Sequence, residues 1–316
     1  MQVDPLKVSD SLSGINIRLP INAYDPRVNG LKDGDLFSWA TAKYDSWMKM
    51  GDPRTDPWPL VASPVPTIMI SMAYVMLVTW MPRVLRGRSF PVKYPVILYN
   101  FFLVLLNAYI VVELLLTTSH YRWTCQPVDY SMDVGALRTA NAIWLVYISK
   151  FVEMLDTLFF IAKGNYRQLS FLHVYHHSTI FPLWWLGVKY VPGGNAVPGA
   201  ILNSFIHVIM YSYYLLSSFG PRFKRYLWWK KYLTGIQLTQ FAACLLQACM
   251  AYQDGCPWPE WMYWWFIGYQ ASFLVLFGNF YIVNYVKGKD RTASPLPNGQ
   301  NKTGLKYGIE NGKKVN

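Results

Sequence analysis

The chain has 316 residues, of which 53% are hydrophobic, 17% aromatic and only 15% charged. Soluble domains carry about 25% charged residues, so the composition excludes an ordinary water-soluble protein and points to the membrane. A formal charge of +12 does not imply nucleic acid, because the basic residues fall between apolar stretches rather than along one patch.

Residues 1–60 are polar, with scattered Pro and Gly and no apolar stretch like that of a signal peptide, and are expected to form an exposed tail. Windows of about 20 apolar residues, enough to cross about 30 Å of hydrocarbon, follow near 65–82, 95–117, 140–162, 171–190, 197–218, 232–252 and 261–285. They predict an all-α integral membrane domain of seven transmembrane helices over residues 61–286. The Lys-, Asn- and Gly-rich segment 287–316 is expected to be a disordered tail.

Charge orients the spans. Connection 83–94 carries Arg83, Arg86, Arg88 and Lys93, connection 219–231 carries Arg222, Lys224, Arg225, Lys230 and Lys231, and the tail begins with Lys287, Lys289 and Arg291. The positive-inside rule assigns these to the cytosol. Connections 118–139, 191–196 and 253–260 hold only Arg122 and Arg138 as basic residues, with Lys189 at the edge of the fourth span, against Asp129, Asp133, Asp254 and Glu260. They are expected in the lumen, as is the N-terminus. On the cytosolic C-terminus, Lys313 and Lys314 of the ending Lys313-Lys314-Val315-Asn316 read as a dilysine retrieval signal for the endoplasmic-reticulum membrane. Cys125 and Cys256 are the two cysteines on lumenal connections, and that oxidising compartment predicts a disulfide between them.

Charged residues at a span centre cost roughly 2.5–3.5 kcal/mol each on an insertion scale, so they face a cavity or each other. The third span holds Lys150, Glu153, Asp156 and Thr157, with 150, 153 and 157 within about 60° of helical arc. A plain internal ion pair stapling the bundle is the bland reading. The fourth span opens with His173, His176 and His177, whose spacing puts three imidazoles on one face. Such triplets occur in the histidine boxes of membrane di-iron enzymes, but a chain with five histidines in all cannot build that site. Three histidines could in principle hold zinc; we expect no metal.

The fifth span repeats Asn203, His207, Tyr211 and Tyr214 as a polar stripe, and the sixth begins Thr234, Gln237, Gln240. Tyr213 and Tyr214 could instead belong to an interfacial aromatic belt. With the alternating topology, His176, His177, Asp156 and Thr157 all fall roughly 8–9 Å from the cytosolic face, with Gln237 and Gln240 at similar depth, Glu153 a turn deeper and His207 at about 16 Å. The set describes one polar chamber opening toward the cytosol.

These residues resemble the very-long-chain fatty acid elongase family. The resemblance rests on Lys150-Phe151-Val152-Glu153-Met154-Leu155-Asp156-Thr157, on Leu172-His173-Val174-Tyr175-His176-His177, on the run from Asn203 through His207 to Tyr211 and Tyr214, and on Thr234, Gln237 and Gln240. It covers roughly residues 55–290, and the chain is most similar to the animal branch acting on long and very-long polyunsaturated acids.

The resemblance implies a 3-ketoacyl-CoA synthase that joins acyl-CoA to malonyl-CoA, releasing carbon dioxide and CoA with no cofactor. It implies a closed acyl tunnel inside the seven-helix bundle. The catalytic candidates are His173, His176, His177, His207, Glu153 and Asp156, and the substrate-binding candidates are Lys150, Thr157, Asn203, Tyr211, Tyr214, Thr234, Gln237 and Gln240. Its partners would be the endoplasmic-reticulum membrane, the 3-ketoacyl-CoA reductase, dehydratase and enoyl reductase of the later steps, and a second copy in a homodimer, with no nucleic acid. Basic connections around the cytosolic mouth would steer the polyanionic CoA. Cys244 and Cys249 lie too deep to serve as the nucleophile, so a histidine must polarise the thioester or carry the acyl group. A seven-helix receptor would be expected to face its pocket outward, which the cytosolic chamber argues against.

Overall fold

The structure, a computed structural model, describes residues 33–85 and 88–287. Among these residues it is helical throughout, with no strand. The helices are α1 (Asp33–Lys49), α2 (Pro64–Val84), α3 (Lys93–Thr117), α4 (Val134–Glu153), α5 (Leu155–Ala162), α6 (Phe171–Tyr190), α7 (Ala196–Ser218), α8 (Lys230–Gln253) and α9 (Glu260–Tyr281). Arg86, Lys289, Arg291, Lys313 and Lys314 lie outside the described residues.

Five helices, α2, α3, α7, α8 and α9, are long and apolar enough to cross a membrane. The two remaining expected spans fall short for a chemical reason. The third is not one helix but two: α4 starts at Val134, ends with Lys150 and Glu153 in its last turn, and breaks at Met154 before the eight-residue α5. The fourth, α6, carries three histidines and Lys189 among its apolar residues.

The helices form a ring in which α4 packs on α6 and α7, α7 on α8, and α8 on α9. It closes where Tyr175 and Thr179 of α6 bond to Ser272 and Tyr269 of α9, at 3.0 and 2.9 Å. Outside the ring, α2 lies against α6, and α3 runs along both α4 and α7. The main apolar core joins Val78 and Tyr74 of α2, Ile110 and Leu114 of α3, Ile143 and Tyr147 of α4, Phe181 of α6 and Val197 of α7. Tyr147 stacks on Phe181 at 4.7 Å, with its hydroxyl 2.5 Å from Thr67.

The basic connections after α2, α5 and α7 lie at one end of the ring, where Phe90 donates its backbone N–H to the Ala162 carbonyl at 2.9 Å and Asn100, in the second turn of α3, donates to Ser218 Oγ at the end of α7 at 3.4 Å. The opposite end is covalently tied by the Cys125–Cys256 disulfide, which links the connection after α3 to that after α8. There Gln126 donates its backbone N–H to Asn195 Oδ1 at 2.8 Å. Gly194 adopts a left-handed φ of 55°, and a Cβ would lie 2.7 Å from the Gln126 carbonyl, so only glycine fits.

The exposed tail expected over residues 1–60 is in part built structure. After α1, residues 50–62 fold against the end of α6, where Asp52 donates its N–H to the Lys189 carbonyl at 2.7 Å and Thr55 donates its hydroxyl to that of Val188 at 3.1 Å. Lys189, itself enclosed, forms an ion pair with Asp56. Arg54 grips Asp52 with side-chain N–H bonds of 2.7 and 3.0 Å and donates to the Ser131 carbonyl at 2.5 Å, both side chains being buried. A polar composition concealed this strap because its polar groups are satisfied by helix-end carbonyls and by each other.

Arg54→Ala should therefore leave a buried carboxylate without its cation, a loss of about 3 kcal/mol. The expected outcome is a lower melting temperature for the purified protein in detergent, with the disulfide still resistant to alkylation. An unchanged melting temperature would show that the strap is held elsewhere.

Candidate active site

The break at Met154 aims four polar side chains at three helices. Lys150 and Glu153, in the last turn of α4, are enclosed to 0% and 1% exposure. The Lys150 ammonium donates to both Glu153 oxygens at 3.0 and 3.2 Å, while His207 Nδ1 of α7 lies 3.0 Å from Glu153 Oε1. The ammonium and an imidazole nitrogen therefore converge on one carboxylate, which lets two charges and a ring persist where water cannot reach.

Beyond the break, Asp156 sits in the first turn of α5, where the helix dipole favours an anion. It accepts from the Tyr211 hydroxyl at 2.9 Å, one helical turn along α7 from His207. Tyr211 is held edge-on by Tyr99 of α3 at 6.2 Å and by Tyr214 at 5.9 Å. Thr157 turns the other way, with its Oγ1 2.7 Å from His173 Nε2 and 2.9 Å from the Tyr74 hydroxyl of α2.

Three histidines of α6 thus have three environments. His173 is tied to Thr157 and lies 4.4 Å, ring to ring, from His177. His177 is buried with its Nδ1 unpartnered, and its ring is 6.2 Å from Tyr74. His176 packs edge-on against His177 and against Phe273 of α9, at 5.0 and 5.4 Å. It faces the central cavity, and no described residue hydrogen-bonds its ring. Among the described residues no cluster of three or more His, Cys, Asp or Glu side chains is arranged to hold a metal ion.

That cavity lies between α6, α7, α8 and α9, with about 1030 Å³ of empty space, part of it open. On α6 its wall runs from His176 to Gly187, roughly 16 Å at 1.5 Å per residue. Its head is polar: His176 is joined by Asn203, Gln240 and Gln270, and the Asn203 Oδ1 and Gln270 Oε1 atoms are buried without partners. Its far end is mostly aromatic, bounded by Trp258, Trp261, Phe266 and Ala248, with Asn195 and Gln247 also on the wall.

The structure brings Lys150, Glu153, Asp156, Thr157, His173, His207 and Tyr211 into direct bonded contact, and sets His176, Asn203 and Gln240 on the cavity wall. Two sixth-span residues stand apart. Gln237 meets only Met210 Sδ, at 3.8 Å, and Thr234 is buried in α8 outside this network. Tyr213 points away, with its hydroxyl donating to the Leu227 carbonyl at 3.4 Å and its ring against Trp229. Sequence reasoning missed Tyr74, Tyr99 and Gln270. A glutamine inside an apolar run is detectable by the same rule that drew attention to Glu153, whereas a tyrosine in a membrane span carries no such mark.

The fold and this site define an all-helical, multi-pass membrane protein with a buried ionic and imidazole cluster at the head of an apolar cavity. Residues 59–293 match the ELO (GNS1/SUR4) family model, and the chain belongs to that family. It is 46% identical over 284 residues to very long chain fatty acid elongase 4 of Homo sapiens, covering 87% of this chain and 90% of that one. It is 42% identical to elongase 1 of Homo sapiens over 81% and 94% of the two chains. Elongase 7 of Rattus norvegicus is 38% identical over 85% and 98%.

Glu153→Gln should strand the buried Lys150 ammonium and lower stability by about 3–5 kcal/mol. The double variant Lys150→Met/Glu153→Gln should recover at least half of that, because no unpaired charge remains while the amide oxygen still accepts from His207. A thermal-denaturation double-mutant cycle reads the difference; additive losses would refute the coupling.

Proposed function

We propose that this protein is the condensing enzyme of fatty acid elongation, joining a long or very-long-chain, polyunsaturated acyl-CoA to malonyl-CoA to give 3-ketoacyl-CoA, carbon dioxide and CoA. Family membership and the elongase relatives support the reaction. The observation that carries the chemistry is a histidine without hydrogen-bond partners, His176, at the point where the polar cluster meets an elongated apolar cavity. The acyl chain lies in the cavity, as in a closed tunnel, and the CoA end points toward the basic connections. No cofactor is required.

In this reading His176 attacks the thioester carbonyl. The carbon–sulfur bond breaks, CoA leaves as the thiol after taking up a proton, and an acyl-imidazole remains. Malonyl-CoA then loses carbon dioxide, and the resulting carbanion attacks the acyl carbonyl, restoring the imidazole. Glu153 orients His207 as its partner, in the manner of a carboxylate fixing an imidazole. The carboxamides of Asn203 and Gln240 steady the oxyanion, where one donor is typically worth about 3–4 kcal/mol. Lys150, Asp156, Thr157, His173, His177, Tyr211 and Tyr214 shape the chamber.

Purified wild-type enzyme given acyl-CoA alone should release CoA in a burst of about one equivalent per site, and steady-state kinetics should be ping-pong. His176→Ala should lower condensation by roughly 10²-fold or more. Absence of CoA release without malonyl-CoA would replace the carrier by direct attack on bound acyl-CoA.

The topology proposed is seven spans, counting α4 with α5 as one and α6 as another, in the endoplasmic-reticulum membrane. The N-terminus is lumenal and the C-terminus cytosolic, with Lys313 and Lys314 as retrieval signal and the later reductase and dehydratase enzymes as neighbours. At 20 residues, α6 is about 30 Å long, enough to span. The sequon Asn301-Lys302-Thr303 should then remain unglycosylated in the expressed protein. A glycan at Asn301 would overturn the orientation.

A further inference from the structure

Helix α1 precedes the first span and belongs to neither the ring nor the site, yet it exposes six large apolar side chains. Phe37 is 74% exposed and Trp47 60%, with Leu36, Trp39, Tyr44 and Met50, just past the helix end, also exposed. At 100° per residue these six fall within about 160° of arc, with Lys43 among them, whereas Thr41, Asp45, Ser46 and Lys49 occupy the rest of the circumference. The helix is amphipathic, and of its apolar face only Tyr44 makes a side-chain hydrogen bond to the rest of the described chain.

Its position is set by three contacts at the disulfide-bearing end of the ring. The Tyr44 hydroxyl lies 3.1 Å from Ser63 Oγ, the same oxygen that caps α2 by accepting from Val65 N–H at 3.2 Å. Tyr190, at the end of α6, donates its hydroxyl to the Trp47 carbonyl at 3.3 Å. Met48 packs on the main core. Because α2 starts at Ser63 and α6 ends at Tyr190, α1 lies at the level where both helices meet the membrane face. The exposed apolar surface of α2 begins there too, with Val65, Ile68, Met69 and Met72.

We infer that α1 lies flat in the membrane interface at this end, with the Leu36, Phe37, Trp39, Tyr44, Trp47 and Met50 face seated at the boundary of headgroups and acyl chains. Trp and Tyr prefer that boundary, where an amphipathic ring has one apolar and one wet side. Lys43 fits the same depth, with its ammonium 5.9 Å from the Trp39 ring centre, as a long cation reaching back to the headgroups does. Three aspartates against two lysines leave α1 with no net positive charge. The apolar face therefore supplies the attraction, and an uncharged phosphatidylcholine surface suffices. Together with the strap at residues 50–62, α1 braces the end of the ring against the leaflet.

Spin labels test this in the full chain reconstituted into phosphatidylcholine vesicles, with the free Cys244 and Cys249 replaced by alanine. Labels on Phe37→Cys and Trp47→Cys should be relaxed several-fold more by oxygen than by a water-soluble nickel chelate, and a label on Ala42→Cys the reverse. Nickel access at 37 and 47 equal to that at 42 would overturn the inference by placing the helix in water. Shielding from both reagents would overturn it in favour of a second copy of the chain. The unaltered protein supplies a control independent of substitution: a diazirine-bearing phosphatidylcholine should leave adducts on the peptide containing Phe37 and Trp47. Adducts on Met69 and Met72 with none on α1 would refute the proposal.

Discussion

Two donors on one buried carboxylate organise this molecule. Glu153 binds the Lys150 ammonium and the His207 ring at once, and neither charge could be held so deep alone. Satisfying Glu153 locks α4 to α7. The third span is interrupted beside it: Lys150 and Glu153 complete the last turn of one helix, and Asp156 and Thr157 open another. Across that interruption α7 meets a carboxylate on each side, Glu153 through His207 and Asp156 through Tyr211, while Thr157 meets His173 of α6 and Tyr74 of α2.

The two walls of the interior divide the labour. Toward α4 and α5 the groups are paired: His173 with Thr157, His207 with Glu153, Tyr211 with Asp156. Toward the cavity they are not, for His176, Asn203 and Gln270 present polar atoms without protein partners. Paired groups hold geometry, and unpaired ones are available to a ligand. Buried polar atoms left open are unfavourable by about 1–3 kcal/mol each, so a ligand able to bond the Asn203 and Gln270 oxygens would relieve that cost, while most of the far wall is aromatic and apolar.

The opposite end of the ring is built for closure rather than chemistry. A disulfide, a glycine that admits a carbonyl, a carboxamide bridging two connections and the buried Arg54–Asp52 pair all lie there. Such ties join connections distant along the chain, and they resist fraying where the helix ends meet water.

From the chain alone, the apolar windows located the helices, because about 20 apolar residues must find lipid or core, and the expense of charge in a membrane singled out Lys150, Glu153, Asp156 and the histidines. Periodicity placed them on faces and at matching depths. It could not show that the third span breaks at Met154, since a one-residue interruption leaves hydropathy unchanged. Nor could it rank three histidines of identical chemistry. Only packing decides that His173 meets Thr157 while His176 meets the cavity. The strap at residues 50–62 was likewise hidden, because polar residues read as solvated until tertiary structure supplies the carbonyls of α6 as their partners. Local sequence determines what each segment must avoid, and the tertiary structure determines which of the permitted partners it meets.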